Sequence, residues 1–234
     1  MLPTKHAPRG WYNLLESRHG LAQISERKTY VGRPETDWAR RSALSALGNG
    51  LFHAGHHEDT LSVREAEISL ERRLGAPEDH VLAMQNNLAS SYNALGRLEE
   101  ALPLQRDVYS GRLKLHGEEH ESTLRAADNY AMSLIRLKRF KEAKRLLRKV
   151  IPVARRVLGN EHDVTLSLCE DLSRVTLLDG ECSAEEKREA VRALEDTLGV
   201  MRRVLGPQHP ETQRVQHNLK VYREAFEAAF PTTA

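Results

Sequence analysis

Asparagine recurs at one register of this chain. Asn87 and Asn129 lie 42 residues apart, and Asp171 and Asn218 take the equivalent places further on. Asparagine is a mediocre residue for a helix interior, because its amide competes for the backbone. Repeating it predicts a task. A side-chain amide offers a donor and an acceptor together, so it satisfies a peptide unit without reading that unit's side chain. Asn86, Ser90, Asn93, Arg125, Asp128, Met132, Arg136 and Arg174 flank the same register. The competing reading is that these amides bond a neighbouring helix and only fix its stacking.

Other reactive residue types carry less. His120, His162 and His209 recur once per repeat, so they cannot converge on one ion, whose ligands lie about 2 Å from it. Capping or packing of the next helix is their expected role. No metal site is expected from His53, His56 and His57 or from His116 and His120, because no Cys or carboxylate set completes either group. Cys169 reads as a small apolar filler, and Cys182 as an exposed residue of a turn. With two cysteines the chain is not a disulfide scaffold. The motifs of a phosphate-binding loop, a zinc protease and a nucleophile elbow are all missing. No catalytic residue and no cofactor are therefore assigned.

A basic run from Arg136 to Arg156 includes Lys141, Lys144, Arg148 and Arg155. Such density could meet an acidic partner or a phosphate backbone. Its acidic neighbours in sequence, Glu99 and Glu100 before and Glu181 to Asp196 after, favour charge pairing between adjacent helices. Aromatic residues do not interleave in a way that would stack bases, which argues against nucleic acid.

The elements that must hold these residues also repeat. Leu88 to Ala101 reads as a helix end, a turn at Gly96-Arg97 and a new helix, and Tyr130 to Ala143 rewrites it. A fixed period predicts a stacked array. Gly75, Gly117, Gly159 and Gly206 punctuate it at intervals of 42, 42 and 47 residues, the extra residues falling around Gly180–Ala184. Four hairpins follow, over about 38–75, 76–117, 118–159 and 160–206, with a last helix over about 210–229 and a tail at 231–234. Small residues such as Ala89, Ala101, Ala131 and Ala143 let paired helices approach closely. Pro152 should kink its helix or end it early. Residues 1 to 36 are the least regular, with Trp11 as a candidate for packing on the first hairpin.

These residues resemble the tetratricopeptide repeat: a large-small-x-x-large helix, a Gly turn and an Ala-bearing helix. The period and the Leu-Gly-x-x-His linkers are more specifically similar to the kinesin light chain subtype. So is Asn86-Asn87-Leu88-Ala89-x-x-Tyr92 followed by Gly96-Arg97 and Ala101. The resemblance covers about 38–229. It departs at Asp59, where Ala is expected, at Glu78, where the other linkers have His, and at the inserted fourth turn. It implies an all-α, right-handed superhelical solenoid of antiparallel helix pairs, whose first helices line a concave groove. Asparagines at this place then hold the backbone of an extended peptide.

The 234 residues, 40% apolar and with a formal charge of +2, suffice for such an array over 37–230 and show no bias toward nucleic acid or anionic membrane. There is no signal-like or membrane-spanning run, so the expected place is the cytoplasm. The expected function is non-catalytic binding of a protein or peptide partner. The alternatives are a structural or self-associating scaffold, suggested by Val221, Tyr222, Ala225, Phe226 and Phe230, or an adaptor resembling the cargo-binding part of a kinesin light chain.

Overall fold

A computed structural model describes Pro34 and residues 36–230. The expectation for the N-terminal segment and its Trp11 falls almost wholly outside the described residues, as does that for the tail. Among the described residues the fold is all-helical: α1 (Trp38–His53), α2 (His57–Arg73), α3 (Glu78–Ala94), α4 (Leu98–His116), α5 (Glu121–Arg136), α6 (Phe140–Val157), α7 (Asp163–Leu178), α8 (Ala184–Val204) and α9 (Pro210–Ala229). They form two compact units, one ending at Leu104 and one beginning at Gln105, with α4 running through the division.

In the first unit α1 packs on α2 and α2 on α3. Leu61 and Ile68 stand seven apart on α2, and Met84 and Leu88 four apart on α3, so each pair shares a helix face. Their contact forms the core, closed by Tyr92, Leu95 and Leu104. In the second unit each of α5 to α9 packs on the next, and α5 also meets α7. Its core repeats the same periodicity: Leu194, Leu198 and Met201 on α8 against Val215 and Leu219 on α9, with Leu166 from α7. Burying each such side chain stabilises by about 1.5–3 kcal/mol. Ala131 and Ala143 are fully buried on the paired helices α5 and α6, where a larger side chain would hold the backbones apart.

The turns explain the period. At the end of α3 the Gly96 N–H bonds Asn93 O and the Arg97 N–H bonds Tyr92 O, with Gly96 at φ 73°. This left-handed closure suits glycine, which has no Cβ to clash. One repeat later Lys138 occupies the same conformation at φ 58°, with the same two bonds to Ile135 O and Leu134 O.

Linker histidines act as helix caps. The Nδ1 of His120, His162 and His209 accepts the backbone N–H of Ser122, Val164 and Glu211 at 3.2, 3.3 and 3.3 Å. The ring thus fills the role usual for Ser or Asp, satisfying a donor that the first helical turn leaves open.

Three local expectations are corrected. α6 runs through the exposed Pro152 to Val157, so the helix does not end early there. Cys182 is buried, not exposed. The inserted turn folds inward: Lys144 Nζ donates to Asp179 Oδ2 at 2.5 Å and to Cys182 Sγ at 3.3 Å. Asp179 also accepts the Glu181 N–H, and Lys144 holds its carboxyl below the ordinary carboxylate range. Cys169 is partly exposed rather than a sealed filler.

Candidate functional site

The first helices of the pairs carry the asparagine register, so the site is built on them, unit by unit. In the first unit Asn87 sits exposed on α3, one turn before buried Ser91. Its carbonyl accepts from Ser91 Oγ at 3.3 Å and from the Arg64 guanidinium. Arg64 is almost fully buried, bonds Ser91 Oγ at 2.5 Å and lies over the Phe52 ring at 4.9 Å. An arginine from α2 therefore stiffens the backbone under Asn87 while the amide of Asn87 makes no hydrogen bond among the described residues. Asn86, Ser90 and Asn93 are partly exposed on the same helix, and Ser90 Oγ bonds the carbonyl of Asn86 at 3.0 Å.

In the second unit α5, α7 and α9 are the first helices. The structure brings Asp128, Met132, Asp171 and Arg174 together there. Arg174 donates to Asp171 Oδ1 at 2.8 Å and reaches the Met132 sulfur at 2.7 Å. Ser167 Oγ donates to Asp128 Oδ2 at 2.7 Å. Asn129 and Asn218 are partly exposed on α5 and α9, and Arg136 is exposed at the end of α5. Arg125 is engaged by Glu121 at 2.8 Å and Asp163 at 3.2 Å, so it bridges α5 to the start of α7. The Asn218 amide makes no hydrogen bond among the described residues.

Asp171 differs from the asparagines whose register it shares. It is 1% exposed, and its Oδ2 has no hydrogen-bond partner; neither has Asp128 Oδ1 nor Arg174 Nε. Burial pushes the Asp171 carboxyl up to about 8, the Arg174 charge opposing this and the Asp128 and Glu170 carboxylates adding to it. Asp128 is pushed up to about 6, again chiefly by burial, with Ser167 opposing. This rung is an internal polar cluster, not an open amide.

Two residues of that cluster, Glu170 and Arg214, stood outside the sequence expectation. Arg214 on α9 grips Glu170 on α7 with two bonds, 2.7 and 2.8 Å, and also holds Glu211. The signal was the Glu211–Arg214 spacing of three, which puts an arginine on a first-helix face.

The basic helix α6 pairs with its acidic neighbours less than expected. Lys141 meets Glu181 at 2.8 Å and Lys144 meets Asp179, both at the inserted turn. Arg156 meets Glu119, and Arg139, just before α6, pairs with Glu142 in its first turn. Arg148 and Arg155 form no ion pair among the described residues.

Comparison with known proteins adds repeat matches and a shared fold. Two tetratricopeptide repeat models match, one over residues 80–156 and one over residues 181–211. No curated protein sequence matches the chain. Crystal structures of a Podosopora anserina kinesin light chain protein with nearly identical TPR-like repeats share its fold. One, a point variant, has 23% identity and a TM-score of 0.65 over 83% of this chain and 91% of that one. The other has 24% identity and a TM-score of 0.62 over 83% and 89%. BtubC (BKLC) from P. vanneervenii matches at 13% identity and a TM-score of 0.59, over 97% of this chain and 96% of that one. Two stretches of this chain thus match tetratricopeptide repeat models, and its all-helical fold is that of the TPR-like repeat arrays in these kinesin light chain-like structures.

Proposed function

We propose that this chain is a non-catalytic interaction scaffold that holds an extended segment of a partner protein in the concave groove of its repeats. The array spans 37–230 in this reading, and its setting is the cytoplasm. The observation that carries it is the state of the register residues. The amides of Asn87 and Asn218 reach the surface without a hydrogen bond among the described residues. An amide left open on a helix interior, where its residue type lowers helix propensity, is suited to a peptide unit supplied from outside. Asn86, Ser90, Asn93, Arg125, Asn129, Met132 and Arg136 flank the partner, while Asp128, Asp171 and Arg174 hold the helices beneath it.

The test is capture of partner from the source cell by the wild type and by Asn87→Ala/Asn129→Ala. The double variant should lose the partner and keep its helical circular dichroism. Capture that survives with the helical signal intact contradicts the reading. Self-association has a narrower basis, the exposed Val221 on α9 and Phe230 just after it. A monomer by light scattering at high concentration removes it.

A further inference from the structure

A groove of about 450 Å³ opens between α6 and α8 in the second unit. Both helices pack on α7, which forms its floor. Successive helix positions are about 100° apart. Cys169, Ser173 and Thr176 of α7 therefore line the groove while Glu170, Asp171 and Arg174 point to the far side of the same helix. The groove is thus separate from the asparagine register. Small residues create it: Ser173 on the floor and Ala190 and Ala193 on α8 leave space that larger side chains would fill.

Its walls carry opposite charge. Arg148 and Arg155 stand on α6, Glu189 and Asp196 on α8, and apolar Ile151, Leu172 and Val200 lie between them. Each charged pair is seven residues apart, hence on one helix face and separated by about 10 Å along the axis. Among the described residues Arg148, Glu189 and Asp196 make no ion pair, and Arg155 has only a 3.5 Å contact to the Cys169 sulfur. A fifth lining charge, Glu186 at the start of α8, accepts the Ser183 N–H and feels the charge of Arg148, while the other four border the apolar channel without an ion pair among themselves.

We propose that this groove docks an amphipathic helix of a partner protein, with small apolar residues along its centre, acidic residues on one flank and basic residues on the other. A helix laid along the channel repeats its own flanking charges at the same seven-residue spacing, so both charges of each wall find a counter-charge. A ligand of a single charge sign meets one wall of like charge and is rejected there. The volume matches the entry of a few small side chains, the usual mode when a helix lays its apolar face in a groove.

The experiment selects displayed helical peptides against the full chain. One library carries a randomised small apolar stripe with an acidic and a basic flank; two controls carry the same stripe with both flanks acidic or both basic. The mixed library should enrich about tenfold over either control. Its binders should weaken about tenfold in Arg148→Glu/Arg155→Glu and in Glu189→Lys/Asp196→Lys. They should bind Asn87→Ala/Asn129→Ala unchanged, and slow alkylation of Cys169 read by mass spectrometry. Equal enrichment of all three libraries overturns the proposal, as does indifference to both wall reversals. A dimer of the chain that Arg148→Glu/Arg155→Glu abolishes overturns the assignment to a partner and gives the groove to a second copy.

Discussion

Replacing Asp171 by Asn should make the protein more stable, by an amount that grows with pH. The carboxyl is sealed on α7, with one oxygen on Arg174 and the other without a partner. Burial and the neighbouring Asp128 and Glu170 push it up to about 8. A carboxyl raised in the folded state contributes stability that is full below its unfolded value, near 4, and is lost as pH rises through its folded value. Across this window the native state holds a proton that the unfolded chain has released. Each such proton costs about 1 kcal/mol of stability per pH unit as pH rises. Asn keeps the acceptor for Arg174 and never ionises, so Asp171→Asn removes that slope. The gap between variant and wild type should widen by roughly 2 kcal/mol between about pH 6 and about pH 8. Urea denaturation midpoints of both proteins across this range measure the gap. A gap that stays constant, or narrows with rising pH, refutes the buried-acid account.

Three further outcomes follow from other parts of the fold. Lys138→Gly should stabilise by up to about 1 kcal/mol in thermal unfolding, since it relieves a left-handed lysine at a turn where Gly96 does the same work one repeat earlier. Asp179→Ala should destabilise by about 2 kcal/mol, because it takes the charged hydrogen-bond partner from the half-buried Lys144, and thermal denaturation reads the loss. His162→Ala should cost about 1 kcal/mol in urea through the lost cap, with His162→Asn recovering most of it because Asn caps the same N–H.

The helices and turns were legible because they are repeated. Three linker histidines, the Gly turns and the alanines each recur at one period, and local chemistry alone dictates what each does. The Lys138 turn was placed at Lys138-Arg139 from its neighbours, although its residue type gives no hint of a left-handed backbone. What escaped the sequence depends on contact between segments far apart in it. Asp171 reads as an asparagine substitute by register, yet Arg174 and the Glu170–Arg214 bridge place it in an internal polar cluster. Cys182 sits in a polar insertion that looks exposed, but Lys144, 38 residues earlier, draws the turn inward. Pro152 breaks helices by propensity; here its ring falls on the exposed face and tertiary packing carries α6 past it. The unneutralised rows on α6 and α8 were visible as charge, and only their separation across a groove shows that they do not meet.

The central claim is that open amides on first helices hold the backbone of a partner. Its most direct test is calorimetric titration of the captured partner segment, as an unmodified peptide and with single backbone N-methyl groups scanned along it. Backbone recognition predicts that N-methylation at the contacting peptide units weakens binding to the wild type by about tenfold per lost hydrogen bond. It also predicts that the same modification has little further effect on Asn87→Ala/Asn218→Ala. An N-methyl scan that leaves the affinity for the wild type unchanged along the whole segment contradicts the claim.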